Sequence, residues 1–154
     1  MVYLLFQIGN DSYALDARHI VEVLPMVDLK GIPRAPVGLA GVFNYHGTPV
    51  PVLDLAGIIL GRSSAARMNT RLVVIEHHDS SGHKSLLGLL AERTTDMLRR
   101  EEADFVPSGL ATGQSLHLGP VTVESGRLVQ RIEIEHLVPP DIGDQFFSGA
   151  IKAG

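Results

Sequence analysis

Apolar positions along this chain come in short runs closed by turn signals, and no apolar stripe at helical spacing lasts beyond about three turns. Val2–Ile8 is apolar and β-prone, Gly9-Asn10-Asp11-Ser12 is a turn, and residues 13–15 resume a strand, so the chain opens on a predicted hairpin. Asp16 fits a helix N-cap ahead of a single turn, Ala17-Arg18-His19. Residues 20–23 are apolar except for Glu22, and Pro25 argues against a long helix there. Ile32-Pro33-Arg34-Ala35-Pro36 reads as a stiff, extended connector. A strand at 38–45, a tight turn at His46-Gly47 and a return strand at 48–53 follow. Pro49 and Pro51 predict an edge or bulged place for that return strand. Asp54 can cap a short helix, Leu55–Leu60, stopped by Gly61.

Residues 62–69 are polar and small and form the best linker candidate. Beyond them the β-signals restart, with a buried-strand run at 72–75, a polar hairpin loop at 77–83 and a return strand at 86–91. A short strand at 94–98 precedes an irregular loop at 101–113 that holds Pro107, Gly109 and Gly113. Residues 116–123, Ser125-Gly126 and 128–134 read as a last hairpin, and 135–138 as a helical turn ended by Pro139-Pro140. The tail, 141–154, carries Phe146, Phe147 and Ile151 at helical spacing, and can dock as a helix or fray. Many short strands at regular spacing predict an all-β fold of small barrels or a sandwich. Two hairpin-rich halves about a polar linker favour two small barrels, 1–65 and 68–140, with terminal strands free to cross over.

Composition narrows the function classes. The 154 residues fit one compact unit or two small lobes sharing a core, and 45% hydrophobic content is enough to fill it. The formal charge is −4, the pI is about 5.9, and no basic run exceeds Arg99-Arg100, so a nucleic-acid binder is not expected. With no cysteine, disulfides, cysteine nucleophiles and thiolate zinc sites are excluded. The N-terminal segment lacks a basic start and its apolar run is short, which argues against a secretory signal. No stretch nears the roughly 18 apolar residues of a membrane span. A cytoplasmic protein with no direct membrane insertion is the expectation.

Candidate chemistry is sparse. His77, His78, Asp79 and His83 form the one dense cluster of metal-ligating types. It falls in a predicted turn, so a solvated loop is the favoured reading and a metal-dependent enzyme the minor one. Asp54 lacks the second carboxylate an acid protease needs, and its capping role is the better account. Glu76 and Glu92 read as surface or strand-end charges. No Gly-x-Ser-x-Gly elbow, phosphate loop or dinucleotide fingerprint occurs. No catalytic residue, cofactor or metal is therefore expected. What remains is a surplus of apolar strands, whose seams and edges can take a protein partner, although filling the core is the commoner fate of such residues.

An ordered set of motifs carries a resemblance. Val21-Glu22-Val23, Ile32-Pro33-Arg34-Ala35-Pro36, the run from Gly41 to Gly47 (Gly-Val-Phe-Asn-Tyr-His-Gly) and the run from Pro49 to Leu55 (Pro-Val-Pro-Val-Leu-Asp-Leu) resemble the CheW-like domain of bacterial chemosensory systems. Phe6-Gln7-Ile8-Gly9 and Tyr13-Ala14-Leu15-Asp16 are similar to the family's start, and residues 86–92 and 127–137 match more loosely. The resemblance spans about residues 2–139. It implies two five-stranded, SH3-like barrels around a shared core, and a non-catalytic scaffold. It further implies that the scaffold couples a chemoreceptor's cytoplasmic tip to the regulatory domain of a CheA-type histidine kinase. Ile20, Glu22 and Val23 fall on one family segment implicated in receptor binding, and Gly41 with Asn44, Tyr45, His46 and Gly47 on a second. A protein-binding double barrel outside chemosensing is the alternative. Two departures stand out. His46 replaces an arginine and Tyr45 a leucine, which alters a typical receptor contact. Arg131 and Glu133 interrupt an apolar last strand, as an exposed strand face or a differently paired edge would explain. Both fit an adaptor of a divergent pathway.

Overall fold

The computed structural model describes residues 1–35, 38–64, 69–78, 81–94, 96–107 and 119–137. Its ten strands are β1 (Val2–Ile8), β2 (Asp11–Asp16), β3 (Ile20–Pro25), β4 (Leu39–Tyr45), β5 (Thr48–Asp54), β6 (Arg71–His78), β7 (Lys84–Ala91), β8 (Asp96–Arg99), β9 (Val121–Glu124) and β10 (Arg127–Arg131). One helix of two turns, α1 (Leu55–Leu60), and three single 3-10 turns complete it. The strands form two five-stranded sheets, ordered β8-β1-β2-β10-β9 and β3-β6-β7-β5-β4. An isolated bridge joins one edge strand of each sheet to the chain that follows the other edge strand: Val121 in β9 to Val106, beyond β8, and Val42 in β4 to Lys30, beyond β3. Each sheet thus closes on itself as a small barrel, as expected.

The period of two along the strands sorts side chains between three cores. Tyr3, Ala14, Leu98, Phe105 and Val129 fill the first barrel. Phe43, Val50, Val52, Leu72, Val74 and Leu90 fill the second. The alternate positions, including Leu4, Phe6, Ile8, Leu15, Val73, Ile75, Leu87 and Leu89, pack between the barrels as one shared core. Both faces of β1, β6 and β7 are therefore buried, which is why their sequences are nearly unbroken apolar runs.

Each sheet draws strands from both sides of the 65/68 division. The hairpin β1–β2 joins β8, β9 and β10, while β6–β7 joins β3, β4 and β5. Each half of the chain supplies a hairpin and then three strands, and the hairpins are exchanged between the barrels. The linker residues 65–68 lie outside the described residues.

Three local readings are corrected. β5 is an interior strand: it pairs with β4 on one side and, at Val52–Asp54, in parallel with β7 on the other. Pro49 and Pro51 precede that parallel ladder, so their missing N–H groups interrupt nothing in it. β6 runs on through His77 and His78, opposite Ser85 and Lys84, because the ladder with β7 and a Lys84–Glu76 ion pair of 3.1 Å extend it past the apolar run. β10 lies between β2 and β9 and is not an edge; its Leu128 is exposed, whereas Arg131 is partly buried. Its Arg131 packs 5.2 Å over the Phe105 ring and holds Glu133 at 2.8 Å, so both charges are paired near the barrel rim. Residues 109–118, Pro139-Pro140 and the tail, 141–154, lie outside the described residues.

Candidate functional site at the closing seam of the second barrel

Strand β3 forms because Ile20, Val21, Val23 and Leu24 suit a pleated ladder against β6. A register shift between Ile20 and Glu22 leaves Val21 unopposed. Ile20, opposite Ile75, packs on the shared core. Val21 and Val23 are 44% and 41% exposed, and Glu22 and Met26 are exposed too. With Pro25, five exposed side chains thus crowd six residues of a sheet edge.

The β4–β5 hairpin supplies the other side. His46 and Gly47 have φ of 51° and 90°, the left-handed pair a two-residue hairpin turn requires. Asn44 closes the turn by accepting the Gly47 N–H at 2.7 Å on its Oδ1. The His46 ring lies 4.5 Å from the Tyr45 ring, which is 5.9 Å from Phe43 in the second core. The Tyr45 hydroxyl donates to Glu22 Oε1 at 2.7 Å, tying the hairpin to β3 across the seam. That bond to the carboxylate, reinforced by burial and by the carboxylate's charge, pushes the Tyr45 phenol above its ordinary value.

Of the eight residues singled out in the sequence, the structure brings Glu22, Tyr45 and His46 into one chain of contacts, with Val23 next to them on the edge. Asn44 and Gly47 shape the turn. Gly41 is buried, and a Cβ there would stand 2.5 Å from the Lys30 carbonyl oxygen. Its observed contacts close the barrel, since Lys30 exchanges two backbone hydrogen bonds with Val42 at 2.8 and 2.9 Å. The Tyr45–Glu22 bond and the exposed Val21 and Met26 were missed in the sequence, because each depends on the edges meeting.

Other polar groups have structural partners. Asp54 is buried and accepts the Ala56 and Gly57 N–H groups at 3.1 and 3.4 Å, then the Ser64 N–H at 2.7 Å and the Ser64 hydroxyl. It fastens α1 and the chain after it, as its capping role requires. Glu92 stands at the end of β7, one of its two readings from sequence; it is no surface charge but buried, with Arg62 bound to it at 2.9 and 3.2 Å. His77 and His78 are consecutive strand residues that point to opposite faces, and Asp79 lies outside the described residues. Among the described residues no three His, Asp or Glu side chains are grouped as metal ligands are. No helix among them is long and apolar enough to cross a membrane.

Comparison with known proteins agrees with this architecture. The chain is 26% identical over 138 residues to a chemotaxis protein CheW of Helicobacter pylori, covering 88% of this chain and 80% of that one. It is 26% identical over 125 residues to the protein FrzA of Myxococcus xanthus, covering 80% and 75%. The crystal structure of the scaffolding protein TtCheW from Thermoanaerobacter tengcongensis superposes with a TM-score of 0.77 at 20% identity, covering 90% of this chain and 87% of that one. That structure has the same two SH3-like barrels. The model of the CheW-like domain matches residues 2–140, and this chain belongs to that family.

Proposed function

We propose that this chain is a non-catalytic chemosensory scaffold that couples the cytoplasmic tip of a chemoreceptor to the regulatory domain of a CheA-type histidine kinase. It acts on the cytoplasmic side, recruited to receptor arrays. Membership of the CheW-like family supports the scaffold role. The observation that carries the receptor contact is the exposed edge of β3, where Val21, Glu22 and Val23 stand beside the Tyr45-His46 turn. Exposed apolar side chains rimmed by a charge make a protein-binding surface. Ile20 anchors that edge from beneath, and Asn44, Gly47 and Gly41 hold the hairpin in place.

Co-elution tests the reading. The full chain, mixed with the regulatory domain of a CheA-type kinase and a soluble receptor-tip fragment, is expected to run as a ternary complex and to make kinase autophosphorylation depend on the receptor. A folded chain that binds neither protein would overturn it.

A further inference from the structure

We propose that Tyr45 is a positioning residue for Glu22, and that the pair selects a receptor face carrying a lysine or arginine beside apolar side chains. This rests on the receptor reading of the same seam.

Among the described residues, the one hydrogen bond to the Glu22 carboxylate comes from a neutral phenol. The bond fixes the carboxylate and leaves its full negative charge. The equivalent seam of the first barrel differs: there Arg100 pairs with Glu124 and cancels its charge. The phenol oxygen is itself placed by the ring's packing, since the Tyr45 ring contacts Phe43 of the second core and the His46 ring. With its pKa raised, the hydroxyl stays a donor throughout the physiological range. An exposed glutamate on an edge strand samples many rotamers, whereas one held at 2.7 Å by a core-anchored ring offers its second oxygen in a fixed place. Val21 and Val23 supply the apolar contact on the same edge. The complement of a fixed, uncompensated carboxylate flanked by valines is a cation flanked by apolar residues. An acidic face is repelled.

The test compares two soluble receptor-tip fragments, one native and one with its tip lysines and arginines changed to glutamine, titrated calorimetrically into the full chain. The native fragment is expected to bind about fivefold tighter, the range of a partly exposed ion pair, and high salt is expected to erase the difference. Glu22→Gln should bind both fragments alike. Tyr45→Phe keeps the ring contacts and an unchanged melting temperature, and should reduce the discrimination to about twofold. Equal binding of both fragments by the unaltered chain would overturn the selection. Full discrimination by Tyr45→Phe would overturn the positioning role. Binding of neither fragment by the folded chain would overturn the receptor reading beneath both.

Discussion

The two barrels are built to one plan and finished differently. In each, a hairpin with a left-handed turn, His46-Gly47 or Ser125-Gly126, returns through a strand that pairs in parallel with a hairpin from the other half of the chain. In the second barrel a glycine lets the backbone close, and in the first a glycine lets the end of β10 approach the chain just before β9. A Cβ on Gly41 would meet the Lys30 oxygen at 2.5 Å, and one on Gly119 the Arg131 oxygen at 2.2 Å. The finish lies in the side chains across the seam. Across the first seam lies the Arg100–Glu124 ion pair, and across the second the Tyr45–Glu22 hydrogen bond. One seam is neutralised and the other keeps a charge. The shared plan is therefore the scaffold, and the recognition chemistry is written on the seam.

The largest expected effect comes from separating the halves. A polypeptide of residues 1–65 holds β1–β2 without β8 or β10, and β3 and β5 without β6 or β7. It loses ladder partners in both barrels and most of the shared core. It is expected to show no cooperative thermal transition by circular dichroism, whereas a mixture with residues 66–154 regains one. Cooperative melting of 1–65 alone would mean that the halves do not depend on their exchanged hairpins.

Next come the two glycines of close backbone approach. Gly119→Ala and Gly41→Ala each drive a methyl group into a backbone carbonyl, which cannot swing aside as a side chain can. Each should cost about 3 kcal/mol by chemical denaturation, the upper part of the usual overpacking range. A pair of near-silent substitutions would show that the backbone gives way at both close approaches without loss of stability.

The hairpins were legible in the sequence because their turns carry their own chemistry: His46-Gly47, Ser125-Gly126, and the Asp54 cap with its Gly61 stop all stand where local reading puts them. Partnership between hairpins was not legible. Leu72 to Ile75 and Leu86 to Ala91 are apolar on both faces, so no alternation says which face meets which sheet. His77 and His78 read as a loop because polarity was the only local signal, and the ladder with β7 overrode it. At the seam, the family resemblance pointed to Glu22 and Tyr45 separately. Their bond spans 23 positions and exists only once the barrel closes. The burial of Glu92 at its strand end stays hidden for the same reason, since its partner Arg62 is 30 positions away.

A smaller effect separates the seams by function. Val23 on β3 is 41% exposed, and Val123 on the first barrel is 57% exposed opposite Leu128, itself 66% exposed. Val23→Glu places a carboxylate in the proposed receptor contact and should weaken capture of a receptor-tip fragment about tenfold or more, with the melting temperature unchanged. Val123→Glu is the matched control and should leave that affinity as it was. Equal losses from both would erase the distinction between the seams.

The smallest effect concerns how the two barrels hold the acidic residue at the end of an inner strand. After β7, Glu92 is held by Arg62 from a distant loop. At the end of β2, Asp16 is held by its neighbour Arg18 through the backbone N–H at 2.9 Å and the guanidinium at 2.7 Å. Burial pushes the Asp16 carboxyl up, but the Arg18 hydrogen bonds and charge outweigh it, and the net shift is downward. A carboxyl depressed in the folded state contributes stability above its unfolded pKa, near 4 for an aspartate. That contribution fades as the pH falls through the lower folded value. Stability measured by denaturant between pH 6 and pH 2 should therefore drop on the acid side, and Asp16→Asn should shallow the drop while leaving the other carboxylates to titrate. Because Arg18 is largely exposed, the difference should be small and should shrink in salt. An unchanged acid limb in Asp16→Asn would mean that the local pair contributes nothing to the acid response.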